Sequence, residues 1–194
     1  ADSDTGTLLY ALPGGNSRHV HAAFKHSAAG AVTRSIPSKI REVVSVKDFG
    51  AVGDGVNDDT TAIQAALNAM PAKGCRIYIP TGVYMISSAL SVPGDHERGI
   101  IFGDGDSSQL KPTGANSIFS YPSNGYGGFT LERMRLTGSN SAGVAAIDCS
   151  PTTVTNVFTG HFRYVEIENW KVGWKLKNAQ LCVWEDCNYD NTQT

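Results

Sequence analysis

The sequence carries almost no excess charge of either sign. Its 194 residues include 16 lysines and arginines against 18 aspartates and glutamates, which leaves a formal net charge of −2. A nearly balanced surface gives no electrostatic reason to bind nucleic acid or an anionic membrane. No apolar run is long enough to cross a bilayer, and residues 1–20 lack the basic start and sustained apolar core of a signal peptide. We therefore expect neither nucleic acid nor a membrane as a partner.

Cysteine is also scarce, and its spacing excludes the usual framework sites. The four cysteines form no Cys-x-x-Cys pair and no zinc-type spacing. Their neighbours are apolar or strand-like, which favours buried free thiols over disulfides. His19 and His21 lie close together, but no further ligand follows at a recognisable spacing. We expect no metal and no cofactor.

Glycine, in contrast, is abundant, with 21 residues scattered among polar turn residues. This pattern is typical of a mainly β protein with many turns. The densest signal begins with a short apolar strand that ends at Phe49. Gly50, Gly53 and Gly55 follow within six residues, so the chain turns sharply there.

An amphipathic helix follows this glycine-rich turn. Ile63, Leu67 and Met70 recur on one helical face. Asp58, Asp59 and Thr60 precede it, and we expect them to accept hydrogen bonds from the first helical turn. Turn and capping roles of this kind argue against Asp54, Asp58 and Asp59 as catalytic carboxylates.

The same segment, continued by a strand and a Gly-x-Tyr sequence, forms an ordered motif. Its residues are Asp48, Phe49, Gly50, Ala51, Gly53, Asp54, Gly55, Asp58, Asp59, Thr60, Ala62–Ala65, Ile79, Pro80, Gly82 and Tyr84. This series closely resembles the start of the pectate-lyase-like, right-handed parallel β-helix of bacteriophage tailspikes and some polysaccharide-degrading enzymes. The resemblance implies a mainly β fold, in which an amino-terminal attachment segment and a short neck helix lead into a parallel β-helix with a capping α-helix.

The stretch before this motif divides the chain further. Residues 30–45 are similar to the segment that leads into the β-helix of phage tailspikes, which favours a virion protein over a secreted enzyme. We expect a virion-attachment segment at 1–29, a neck helix at 30–45 and the start of the β-helix at 46–194, as the front part of a longer protein. A flexible terminus is the alternative for residues 1–29.

The neck prediction depends on three apolar residues. Ile36, Ile40 and Val43 recur at helical spacing within residues 35–44. Such a short helix needs a partner, and an isoleucine-rich seam suits three strands. The resemblance favours a homotrimer, and simple docking of the helix onto the β-helix is the alternative.

Three short apolar sets suggest stacked coils later in the chain. Leu131, Met134 and Leu136 share their spacing with Phe162, Val165 and Ile167, and with Trp184, Cys187 and Tyr189. An offset of 22 residues between the last two sets is close to one β-helix coil, and the earlier pair requires an insertion of about nine residues. An irregular sandwich is the alternative.

Candidate sites for polysaccharide chemistry are sparse. Glu166 and Glu168 alternate with apolar residues, so both should point outward on one side of a strand. Two such carboxylates could serve glycoside cleavage, but we favour the interpretation that they belong to a solvated strand surface. Trp170, Trp174 and Trp184 could stack on sugar rings, but we favour core positions for them, most strongly for Trp184.

The resemblance implies a function for the whole protein. It predicts a tailspike in the phage tail, assembled in the host cytoplasm, docked on a tail or baseplate protein through residues 1–29. It would adhere to bacterial surface polysaccharide, and the full-length protein would depolymerise capsule or O-antigen, with this segment itself expected to be non-catalytic. A secreted polysaccharide lyase or hydrolase of the same fold, and a non-catalytic adhesin, are the alternatives.

Overall fold

The computed structural model of the chain describes residues 23–36, 42–70, 76–93, 97–121, 127–138, 141, 144–150, 158–176 and 179–190. The chain divides into two compact units, Ala1–Glu42 and Val43–Thr194. Most of the predicted attachment segment, residues 1–22, lies outside the described residues.

The first unit contains a short antiparallel strand pair. Strand β1 (Ala23–Phe24) pairs with β2 (Arg34–Ser35), and Arg34 forms an ion pair with Glu42. Ser35 lies in β2 and the next residue, Ile36, is helical, in agreement with a predicted helix that begins directly after Ser35. Ile40 and the middle of the predicted neck helix lie outside the described residues.

The second unit is a parallel β-helix, in which every strand pairs in parallel with strands of the neighbouring coils. Its strands are β3 (Val43–Ser45), β4 (Asp54–Asp58), β5 (Arg76–Ile79), β6 (Gly82–Ile86), β7 (Leu90–Ser91), β8 (Glu97–Gly103), β9 (Ser108–Pro112), β10 (Phe119–Ser120), β11 (Gly127–Thr137), β12 (Ala145–Cys149), β13 (Phe158–Glu168), β14 (Val172–Leu176), β15 (Ala179–Glu185) and β16 (Asn188–Asp190).

These strands form three faces. Strands β3, β5, β8 and β15 stack with the first halves of β11 and β13, whereas β4, β6, β9 and β16 stack with the second halves. Strands β7, β10, β12 and β14 make the third face. Four coils contain all three faces, which confirms the predicted mainly β, parallel β-helix fold.

The register of the coils follows the apolar repeat. Leu131 lies opposite Phe162, which lies opposite Trp184. On the second face, Leu136, Ile167 and Tyr189 align in the same way. The predicted repeat is therefore confirmed as a set of inward-facing columns.

One core prediction was wrong. Trp184 is 45% exposed, although its ring stacks on Phe162 at 5.9 Å between centroids. Among the described strands β15 pairs only with β13, so no described coil covers the other side of the indole. Trp170 is fully buried, and its Nε1–H donates to the Leu136 carbonyl at 3.1 Å.

Helix α1 (Thr60–Asn68) replaces the third-face strand in the first coil. Its buried side includes Ile63, Ala66 and Leu67, as the periodicity predicted. Two local predictions differ: Val43 lies in β3 and not in a neck helix, and Val46–Phe49 forms a 3-10 helix and not a strand. In β3, Val43 pairs opposite Arg76 of the next coil, so its backbone is committed to the sheet.

The described cysteines are unpaired. Cys149 is buried, and Cys182 and Cys187 are half-buried; Cys75 lies outside the described residues. None of the helices in the described ranges is long and apolar enough to cross a membrane. Within the same ranges, no group of three His, Cys, Asp or Glu side chains is placed to hold a metal ion.

Candidate functional site

The two adjacent aspartates of the amino-terminal motif have different partners. The Asp59 carboxylate accepts hydrogen bonds from the backbone N–H groups of Val52 (2.6 Å) and Gly53 (3.1 Å), and the residue is 2% exposed. It makes no side-chain hydrogen bond to the first turn of α1. Asp59 thus ties the glycine-rich loop to the start of the helix, and is not the side-chain cap that we expected.

Asp58 joins the first coil to the second. Its carboxylate accepts from the Ser87 hydroxyl at 2.6 Å and from the Thr60 backbone N–H at 3.0 Å, and the Thr60 hydroxyl accepts from the Ser87 N–H at 2.8 Å. The hydroxyls of Ser87 and then Thr60 lower the Asp58 pKa to about 2. Asp58 is thus occupied by a structural network.

The remaining acidic residues of the motif bind their own turns. Asp54 accepts from the N–H groups of Val56 and Asn57, both at 2.9 Å. Asp48 accepts from the Ser45 N–H at 3.1 Å and completes a capping box on the 3-10 helix. Gly50 ends that helix with a φ of 94°, a conformation that favours glycine.

Tyr84 explains two glycines of the motif. Its ring is fully buried, and its hydroxyl donates to the Pro80 carbonyl at 2.9 Å. A Cβ on Gly53 would lie 2.7 Å from this ring, and a Cβ on Gly82 would lie 2.7 Å from the Gly53 carbonyl oxygen. Burial raises the Tyr84 pKa to about 12, so the phenol stays a hydrogen-bond donor.

Gln64 is a motif residue whose role the sequence did not reveal. Its side-chain amide donates to the Ser91 carbonyl at 2.9 Å and accepts from the Ser91 N–H at 2.8 Å. Since β7 has only β10 as a described strand partner, Gln64 pairs the backbone that its other edge would leave open. The only signal in the sequence was the recurrence of Gln in the family motif.

The two candidate catalytic carboxylates share one arginine on the outer surface of the second face. Arg135 Nε lies 2.7 Å from Glu166 Oε2, and its Nη1 lies 3.9 Å from Glu168 Oε2. Its Nη2 lies 3.7 Å from Asp106 Oδ2. The structure thus brings Glu166 and Glu168 together on one side of β13, as their alternation predicted, within a cross-coil ion-pair cluster.

A second ion-pair cluster follows the same pattern on the first face. Arg163 Nε lies 2.7 Å from Glu185 Oε2, and its Nη1 lies 3.7 Å from Glu132 Oε1. Each arginine therefore bridges coils, and cross-coil ion pairs are a general feature of this surface. The pairing of Glu166 with Arg135 alone does not mark a catalytic centre.

A groove lies where the first and second faces meet, and Glu166 forms part of its wall. The corner groove, as we call it, has a volume of about 270 Å³ and is lined by Asp106, Tyr164, Val165, Glu166, Asp186 and Asn188. Tyr164 is 54% exposed. An open groove with an exposed aromatic ring and several polar oxygens is suited to a hydroxyl-rich ligand. Glu168 lies outside this lining.

Comparisons with known proteins show what this chain is similar to. The family model for rhamnogalacturonase A/epimerase, pectate lyase-like, matches residues 43–130. The tail spike protein of Shigella phage Sf6 is 33% identical over 145 residues, which cover 70% of this chain and 22% of that protein.

Two further comparisons extend this result. Mannuronan C5-epimerase AlgE4 of Azotobacter vinelandii is 54% identical over 52 residues, which cover 26% of this chain and 9% of the epimerase. The solved structure of tailspike protein 3 of bacteriophage CBA120 matches with a TM-score of 0.54 and 16% identity, over 86% of this chain and 32% of that chain, which supports the fold alone. The chain thus spans less than a quarter of the length of these curated relatives. It is a homologue of phage tail spike proteins, and its residues 43–130 match a pectate-lyase-like family model.

Proposed function

We propose that the chain is part of a phage tailspike that adheres to host surface polysaccharide, and that the whole protein depolymerises this polysaccharide. The observation that carries the proposal is the extent of similarity. The Sf6 tail spike matches over 145 residues, whereas the epimerase matches over 52. Similarity to the tail spike therefore reaches well beyond the amino-terminal motif that β-helix proteins of several activities share.

The test is an assay of the native protein on purified surface polysaccharide of the phage's host. Release of oligosaccharides, seen as a shift to lower mass in size-exclusion chromatography, supports the proposal. Binding without release would indicate a non-catalytic adhesin. The proposal would be overturned if the protein did not bind the polysaccharide and the added protein did not reduce phage adsorption.

The domain roles follow the same proposal. Residues 1–29 dock on a tail or baseplate protein of the virion, and the neck of a homotrimer, predicted at 30–45, is confined to residues 30–42 because Val43–Ser45 is strand β3. The division of the chain after Glu42 supports a boundary near the start of the β-helix. Because Val43 belongs to β3, Ile36 and Ile40 are left as the proposed trimer seam. Native mass spectrometry tests this, with three copies expected for the wild type and dissociation for Ile40→Asp.

Glu166 and Glu168 remain our proposal for a catalytic pair. Replacing each in turn with Gln keeps the size of the side chain but removes its acid–base chemistry. We expect loss of oligosaccharide release by a factor of about 100 or more if the pair is catalytic. Glu132→Gln is the matched control, since Glu132 also pairs with a cross-coil arginine. Equal activity in all three variants would assign Glu166 and Glu168 to the ion-pair surface alone.

A further inference from the structure

Tyr164 occupies a corner position that its residue type does not favour. Its φ is 51°, in the left-handed region where a bulky side chain is unfavourable and glycine or asparagine is tolerated. The same conformation recurs at the aligned corners of the neighbouring coils, at Arg133 (φ 52°) and Asp186 (φ 50°). The bend between the two faces therefore requires this backbone, but it does not require tyrosine.

Packing does not explain the tyrosine either. Within the described part of the chain, the Tyr164 hydroxyl has no hydrogen-bond partner and its ring has no aromatic partner. Arg133, one coil earlier, differs, because its guanidinium lies 6.0 Å from the centre of the Phe102 ring. An exposed, unpartnered aromatic residue on a strained backbone points to a role in binding.

The groove beside Tyr164 shows what such a ligand could be. The exposed ring is flanked by acceptor oxygens from three coils, on Asp106, Glu166 and Asp186, and by the Asn188 amide. A pyranose ring offers an apolar C–H face for stacking and hydroxyl groups that donate to carboxylates. Arg135 is the one cation that the described ion pairs place at this cluster, and it already faces Glu166 and Asp106.

We propose that the corner groove binds an uncharged sugar residue of the host polysaccharide, stacked on Tyr164. Three carboxylates around one engaged arginine disfavour uronic or sialic acids through like-charge repulsion. The volume of about 270 Å³ suits one sugar ring and not a long oligosaccharide. This inference rests on the proposed function, which it narrows to polysaccharides that contain an uncharged residue.

The experiment compares the native protein with Tyr164→Asn on an array of bacterial oligosaccharides, with neutral and uronic-acid-containing repeats. Asparagine relieves the corner backbone and removes the aromatic platform. We expect the melting temperature to stay unchanged or rise by a few degrees. Affinity for neutral glycans should fall by roughly tenfold or more, as for an aromatic anchor.

Arg133→Asn is the matched control. It makes the same backbone change at the preceding corner, but Arg133 does not line the groove. We expect this variant to bind like the wild type. Unchanged glycan binding by Tyr164→Asn, a marked loss of its thermal stability, or a preference of the wild type for acidic glycans would overturn the inference. If the wild type binds host polysaccharide and Tyr164→Asn binds equally well, only the groove assignment fails; if the wild type binds no glycan at all, the proposed function fails with it.

Discussion

Asp58 and Asp59 show how adjacent residues of one type can have separate tasks. Asp59 holds the Val52–Gly53 backbone, and Asp58 holds the end of β6 through Ser87. The sequence could predict that both are structural, because they precede a helix after a glycine-rich turn. It could not predict the donors, because these depend on the folded path of the loop and on a coil about thirty residues away.

We expect Asp59→Ala to lower the free energy of unfolding by about 2–4 kcal/mol, since the backbone N–H groups of Val52 and Gly53 lose their charged acceptor. Urea unfolding followed by circular dichroism measures this. Asp54→Ala is the control, because Asp54 is exposed and bonds only within its own turn; we expect a loss below about 1 kcal/mol. Equal losses in the two variants would mean that the hydrogen bonds of Asp59 to Val52 and Gly53 stabilise the fold no more than those of an exposed turn aspartate.

The lowered pKa of Asp58 predicts a pH dependence of stability. Its folded pKa of about 2 lies below the reference value of 3.8. The stabilisation is therefore complete above the unfolded pKa and is lost as the pH falls through the folded value. Unfolding free energies measured between pH 5 and pH 2 should fall less steeply for Asp58→Asn than for the wild type. A Ser87→Ala variant should lie between them, and parallel curves for all three proteins would contradict the assignment.

The structural roles of two glycines outside the motif could not be predicted from the sequence. A Cβ on Gly128 would lie 1.4 Å from the Thr159 carbonyl oxygen, and one on Gly138 would lie 2.4 Å from the Trp170 ring. Both conflicts involve the next coil. The need for a glycine can be inferred from the sequence where local turn signals mark it. A glycine that is needed because two coils approach closely can be identified only when the pairing register of those coils is known.

At the scale of elements, helix α1 occupies the position of the third-face strand in the first coil. The helix lies in the position that β7 occupies in the next coil, and Gln64 provides both an acceptor and a donor to Ser91. The helix itself was predictable from its apolar spacing. Its function as an edge cover was not, because a polar side chain on a helix surface has no signature that distinguishes it from a solvated one.

We expect Gln64→Leu to lower the free energy of unfolding by about 1–3 kcal/mol through two lost hydrogen bonds. It should also promote concentration-dependent association, because it opens an edge of β7. Chemical unfolding and light scattering measure the two effects. Asn68→Ala is the control, since the Asn68 side chain bonds only to Gln64. Matching results for both variants would show that the bond to Ser91 is not the important one.

The positions of the later strands could be predicted from the apolar repeat, because the coils of a β-helix repeat the same inward-facing positions. Each coil must place apolar side chains inward at the same level of the stack, so register and sequence spacing correspond. Trp184 was the exception: it occupies a repeat position, yet its exposure depends on whether another coil covers it. The corner groove was also missed, since it requires three coils to be aligned at once.

At the scale of the whole molecule, the net charge of −2 gives no electrostatic preference for a class of ligand. Local features of the surface therefore determine which ligand it binds. The β-helix gives a long surface with ion-pair clusters around Arg135 and Arg163 and a groove at one corner. The resemblance to pectate-lyase-like β-helix proteins could be recognised from about forty residues of the sequence. The choice between tailspike and enzyme relatives needed the longer similarity, because the amino-terminal motif is shared by both classes.

The most direct test of the tailspike proposal is the location of the protein in the phage particle. Antibodies raised against residues 43–194 can be applied to purified virions and visualised by immunogold electron microscopy. The proposal predicts labelling at the tail, with tailspike-sized projections carrying the gold. Virions without label, together with detection of the protein in the medium of bacteria that release no phage, would contradict it and favour a secreted enzyme of the same fold.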